Sequence, residues 1–182
     1  MTLKAASVAL VFGTDLGNTE EVGEKIIERL APMVASAVEM FNVREASTEL
    51  LERYDFLILG IPTWEFGGIQ SDWEDFEAQV LAADFEGKTV ALYGLGDQIG
   101  YPDYFLDAMG WLHERVLRNG ANIIGTWSTQ GYDFERSAAA NEDGSQFCGL
   151  AIDQDRQQAL TDERVAQWVT QLAVEFEQIV PA

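Results

Sequence analysis

Five short apolar runs alternate with stretches in which apolar positions recur every three to four residues. The runs are Val8–Phe12, Ala37–Val43, Phe56–Gly60, Val90–Gly94 and Ile123–Trp127. Phe56-Leu57-Ile58-Leu59 has no polar position, as suits a strand covered on both faces. Between the runs, Thr19–Leu30 places Val22, Ile26, Ile27 and Leu30 on one helical stripe. Ser71–Leu81 does the same with Trp73, Phe76 and Val80, and Tyr104–Leu117 with Met109, Leu112, Val116 and Leu117. A last helix is predicted from a capping Thr161, with Asp162 and Glu163 in its first turn and Val165, Trp168, Val169, Leu172 and Phe176 on its apolar face. At the start of the first helix, Asn18 and Glu21 have capping-box spacing, and Thr19 is an equally fair cap. The alternation predicts an α/β fold: a single-domain, doubly wound, five-stranded parallel sheet. Only Gln130–Gln158 breaks it. That polar stretch carries Phe147-Cys148-Gly149-Leu150-Ala151-Ile152 and reads as a long insertion at the fifth strand, packed on the sheet edge with short strands of its own.

Charge changes the picture more than size does. The 182 residues carry 31 acids and 11 bases, a formal net charge of −20. Such a surface repels nucleic acid and anionic membranes and favours basic partners. The single cysteine, Cys148, cannot form an internal disulfide, which fits a reducing cytoplasmic setting. Lys4 and the apolar run to Phe12 have the outline of a weak signal peptide. The run is short, however, and a specific turn rather than a cleavage site follows it.

Three loops leave predicted strand ends on the side where open parallel sheets bind ligands. The first is Gly13-Thr14-Asp15-Leu16-Gly17-Asn18-Thr19. It is rich in amide, hydroxyl and glycine groups and has no Lys or Arg. It matches neither the P-loop nor the three-glycine dinucleotide pattern. It suits either a small anion held by neutral donors at a helix start or a simple capped turn. The second loop, Ile61–Gly68, and the third, Leu95–Pro102, carry Trp64 and Tyr101 among glycines. Each aromatic alone reads as a cover for the core edge. Together with the first turn, they outline a phosphate, a short polar stretch and a flat ring: flavin mononucleotide (FMN).

At this point the chain resembles the long-chain flavodoxins. The matching segments are Gly13–Glu20, Leu59–Trp64, Ser71–Phe76 and Gly94–Pro102, with the insertion after Ser128 as the long-chain feature. The resemblance implies the sheet order 2-1-3-4-5 and non-covalent FMN. It implies a cofactor site of Thr14, Asp15, Leu16, Gly17, Asn18 and Thr19 around the phosphate. Pro62, Thr63, Trp64, Glu65, Phe66 and Gly67 follow from the second loop, and Leu95, Gly96, Asp97, Gln98 and Tyr101 from the third. Trp64 and Tyr101 would cover the two ring faces, and backbone groups of Gly96, Asp97 and Gln98 would border its polar edge. The peptide between Glu65 and Phe66 would turn to meet the flavin N5 proton. One departure stands out: Leu16 replaces the family's middle threonine, which removes one hydroxyl donor to the phosphate.

The function so implied is low-potential one-electron carriage, shuttling between semiquinone and hydroquinone, with no substrate turnover and no metal. Asp97, Glu65 and the net charge would make the second electron hard to add. Phe66, Ile69, Ile99 and Tyr101 would offer an apolar patch to basic redox partners, both a reductase-type donor and a low-potential acceptor, with the carrier itself a monomer. A flavodoxin-like quinone or nitro reductase is the enzyme alternative, but it needs room above the ring that Trp64 and Tyr101 would close. A receiver-type signalling domain needs clustered acids after the first strand, where Asp15 is alone. His113, mid-helix, reads as a boundary residue, and Cys148 as an inert buried thiol.

Overall fold

The computed structural model describes residues 1–179. Parallel strands β1 (Val8–Phe12), β2 (Glu39–Asn42), β3 (Phe56–Trp64), β5 (Thr89–Leu95) and β6 (Asn122–Ile124) lie in the order β2-β1-β3-β5-β6, which is the expected 2-1-3-4-5 winding. A short β4 (Gly68–Ile69) turns back antiparallel on β3, pairing Thr63 with Ile69 and Trp64 with Gly68. Helices α1 (Asn18–Leu30) and α5 (Thr161–Ile179) cover one face. The other face carries α2 (Thr48–Arg53), α3 (Ser71–Ala82) and α4 (Asp107–Arg118). β3 and β5 run through the middle and are buried almost throughout, which is why their sequences show no alternation.

The fifth strand departs from the expectation of Ile123–Trp127. β6 pairs with only the first half of β5 and stops at Ile124. Gly125 then takes a left-handed backbone, φ +80°. A side chain there would lie 2.6 Å from Leu172 and 2.8 Å from the Trp168 indole nitrogen, so the bend is wedged against α5. Trp168 Nε1 donates to the Gly125 carbonyl at 2.7 Å, and Glu175 accepts the Gly125 N–H at 2.6 Å. Trp127 joins a separate antiparallel ribbon, β7 (Trp127–Ser128) with β8 (Gln146–Phe147). The chain returns as β9 (Leu150–Ile152), which pairs in parallel with the second half of β5. Gly149 permits that re-entry, because a Cβ would sit 2.2 Å from the Leu92 carbonyl oxygen.

Smaller corrections follow from local physics. β2 is shorter than Ala37–Val43, being a half-exposed edge strand. Tyr104–Leu106 is a turn rather than helix, and α4 begins after Leu106 at φ +63°. The six-residue α2 went unanticipated, although Ser47 caps it by accepting the Leu50 N–H at 3.2 Å. Thr161 is already in helical geometry at the start of α5, and its hydroxyl donates to Gln154 Oε1 at 3.2 Å, so it is not the cap.

Candidate functional site

The first loop leaves β1 beneath the start of α3. Gly13 donates its N–H to the Gly60 carbonyl at 3.1 Å, and Trp73 Nε1 donates to the same oxygen at 2.9 Å. A side chain on Gly13 would meet Gln70 Oε1 at 2.3 Å and Trp73 at 2.5 Å. The cap of α1 is Gly17 at φ +89°, not Asn18 or Thr19, so no capping box forms. A glycine brings no side chain to the amides of the first helical turn, which leaves them available to an anion at the positive helix end. The Thr14 hydroxyl accepts the Gly17 N–H at 2.9 Å and closes the turn. Fully buried Tyr93 fastens this helix end to the sheet, its hydroxyl donating to the Thr19 carbonyl at 2.9 Å.

The second loop is the tip of the β3–β4 hairpin. Trp64 Nε1 donates to Asp15 Oδ2 at 2.7 Å, which ties the aromatic to the first loop. Asp15 also accepts from the buried Gln70 at 3.3 Å; Gln70 donates in turn to Asp72, which Arg44 holds at 2.8 Å. Burial opposes ionisation of Asp72, yet Arg44 and Gln70 outweigh it and lower its pKa. At the tip, Glu65 has φ +39° and Gly67 φ +83°. Phe66 is 72% exposed and meets Tyr101 and Tyr104 edge-on, at 5.6 and 5.8 Å between ring centroids. The Thr63 hydroxyl accepts the Ala108 N–H at 3.1 Å, so it serves the start of α4.

The third loop is shaped by Asp97 and by the returning insertion. Asp97 Oδ1 accepts the N–H groups of Ile99 (3.0 Å) and Gly100 (2.7 Å), and the Asp97 carbonyl accepts that of Tyr101 at 3.0 Å. Arg156 reaches the same carboxylate, at 3.0 Å to Oδ1 and 3.2 Å to Oδ2. The guanidinium, with help from the loop amides, lowers the Asp97 pKa. Gln98 is buried and faces the insertion. Its backbone N–H and Nε2 both donate to Asp153 Oδ2, at 3.1 and 2.8 Å, and its Oε1 accepts the Asp133 N–H.

These loops enclose a cleft of about 310 Å³. Thr14, Asp15, Leu16, Asn18, Thr19, Pro62, Thr63, Trp64, Glu65, Leu95, Gly96, Asp97 and Tyr101 line it. The expected Gly17, Phe66, Gly67 and Gln98 are not among its lining residues. Gln154 and Asp155 also line it, and sequence reasoning missed them. They follow β9, the true end of the fifth strand; a strand end at Ile152 was the signal that could have found them. Among the described residues, no Lys or Arg lines the cleft. Cys148 and His113 lie elsewhere: burial pushes the thiol up to about 12 and lowers the imidazole pKa.

A family model described as flavodoxin matches residues 10–168. Over 171 residues the chain is 46% identical to a flavodoxin of Klebsiella pneumoniae, covering 94% of this chain and 95% of that one. Flavodoxin 2 of Escherichia coli (strain K12) is 44% identical over 170 residues, 93% of this chain and 96% of its own. A Fusobacterium nucleatum flavodoxin solved with flavin mononucleotide superposes with a TM-score of 0.87 at 28% identity, over 94% of this chain and 99% of that one. The cleft beyond the strand ends is therefore the site of a known architecture, and the chain belongs to the flavodoxin family.

Proposed function

We propose that the chain is an FMN-dependent one-electron carrier rather than an enzyme, of the long-chain type, folded as one domain with its insertion near residues 130–158. The observation that carries this reading is the union of a glycine-capped, cation-free helix start with an aromatic-walled cleft. The volume falls in the ordinary range for small-molecule sites. The neutral donors suit a phosphomonoester, and the walls of Trp64, Tyr101, Pro62 and Leu95 suit a flat ring. Bound FMN supplies the redox chemistry.

The chain's own groups then have distinct tasks. The amides of α1's first turn, with Thr14, Asn18, Thr19 and Thr63 beside them, hold the phosphate. Trp64 and Tyr101 cover the ring and exclude water, Trp64 being held in place by Asp15. Phe66 packs edge-on against Tyr101 at the rim, Gly67 turns the hairpin at φ +83°, and the backbone of Gly96 and Asp97 borders the polar edge. Gln98, whose N–H is spent on Asp153, instead fixes the loop. The Glu65 carbonyl would be the acceptor for a proton on the ring edge when FMN is bound. Glu65 holds its left-handed φ of +39° at a cost of order 1–3 kcal/mol for a non-glycine residue.

The carrier works as a cytoplasmic monomer that docks basic partners through the cleft mouth. Leu16, Phe66 and Ile99 are exposed there within an acidic surface. Among the described residues no helix is long and apolar enough to cross a membrane. The visible spectrum of the purified protein tests the cofactor reading. A yellow protein that turns blue at half reduction supports it. A chain that stays colourless when mixed with FMN refutes it. Docking through charge predicts electron-transfer rates that fall with rising salt.

A further inference from the structure

We propose that Arg156, on the last segment of the insertion, just beyond β9, sets the charge at the polar edge of the flavin by pairing with Asp97. The inference rests on the FMN reading above. Four carboxylates line the cleft: Asp15, Glu65, Asp97 and Asp155. Among the described residues, Arg156 is the one cation in a salt bridge with any of them. Its contact is two-pronged, Nε to Oδ1 and Nη2 to Oδ2, the geometry that makes arginine a strong carboxylate partner.

Both partners are held in place. Asp97 is pinned by the amides of Ile99 and Gly100. The Arg156 backbone N–H donates at 2.9 Å to Asp153, a fully buried carboxylate. The guanidinium side chain is 47% exposed and that of Asp97 18%, so the pair lies at the cleft rim, half screened by water. The pair raises the Arg156 pKa and lowers that of Asp97, so both stay charged near neutrality. The acidity expected of Asp97 toward the ring is thus offset by a cation supplied by the insertion.

The test compares Arg156→Gln, Arg156→Lys and Asp97→Asn/Arg156→Gln in FMN-loaded protein by spectroelectrochemistry. A unit charge about 10 Å away, at an effective dielectric between ~20 and ~80, changes an equilibrium by roughly twofold to seventeenfold. Arg156→Gln should make the second electron harder to add by that factor, about 20–70 mV at 59 mV per tenfold. Arg156→Lys should recover part of the shift, and the double variant, which removes both charges, should return close to the parent value. In the apoprotein, Asp97 should titrate at higher pH once Arg156 is gone, as read by carboxyl-carbon NMR. A coloured Arg156→Gln protein with an unmoved lower potential overturns this inference alone. So does a double variant that stays shifted, which would mean that the arginine merely props the loop. A chain that takes up no flavin overturns the cofactor reading and this inference with it.

Discussion

Asp153→Asn tests how the insertion holds the ring-side loop. Asp153 is fully buried and accepts four N–H groups. Oδ2 takes the backbone N–H and Nε2 of Gln98, and Oδ1 takes the backbone N–H groups of Asp155 and Arg156. An asparagine must turn an NH2 toward one of these pairs. Facing Gln98, it would oppose two buried donors; facing Asp155 and Arg156, it opposes donors on exposed residues that water can partly serve. The second orientation should prevail. Two hydrogen bonds to a charged acceptor are worth about 3–6 kcal/mol. Recovery of hydration at the exposed pair brings the net cost to about 3 kcal/mol. At 2–4 °C per kcal/mol for a chain of this size, the apoprotein should melt about 6–12 °C lower. Thermal unfolding followed by far-UV circular dichroism reads the shift. Asp143→Asn, an exposed carboxylate in the same insertion, is the control and should stay within about 0.5 kcal/mol of the parent. Because Gln98 belongs to the ring-side loop, Asp153→Asn should also weaken FMN and riboflavin by the same factor. A melting shift under about 2 °C, or a loss confined to FMN, would refute the argument.

Leu16 lines the cleft and is 76% exposed. Leu16→Thr should restore a phosphate donor and tighten FMN about tenfold while leaving riboflavin unchanged, and equal FMN affinities in a titration would count against it. Gly60→Ala would place a Cβ 2.1 Å from Cζ of the buried Tyr93. A loss of about 3 kcal/mol in urea unfolding should follow, less than additive with Tyr93→Leu, and strict additivity would show that the contact is not the cause. Burial pushes the Cys148 thiol and the Tyr132 phenol up to about 12 in the folded chain. Above about pH 8.5 for the thiol and about pH 10 for the phenol, the unfolded chain therefore loses a proton that the folded chain keeps, and stability falls as pH rises, by up to ~1.4 kcal/mol per unit for each group. Cys148→Ala should flatten that fall between about pH 8.5 and 10, and superimposable slopes for parent and variant would exclude it.

The parts of this molecule that were legible beforehand are those encoded locally. Phe56–Leu59 announces a strand buried on both faces, and Val22, Ile26 and Leu30 a helix with one buried stripe, because residue spacing maps directly onto strand and helix periods. Gly13 and Gly17 mark the first turn, since close packing leaves no room for a side chain at the one and a positive φ disfavours a side chain at the other. The cap of α1 was misjudged by one residue for the same reason: Gly17 takes the left-handed cap and Asn18 enters the helix. Trp127 illustrates the opposite failure. It continues an apolar run, but whether that run stays in the sheet depends on Gly125 meeting α5 more than 40 residues downstream.

By itself, then, the order of residues determined the layered α/β architecture, the three loops at the strand ends and most of the cleft lining. Tertiary structure alone decided that the edge strand is split, with Leu150–Ile152 completing what Asn122–Ile124 begins. It also brought Gln154 and Asp155 to the cleft, set Arg156 on Asp97 across 59 residues and set Asp153 on Gln98 across 55. No local period carries such pairings. They form only when chain segments far apart in sequence close around a common core, and there the loop-closure entropy is met by contacts that neither segment shows alone.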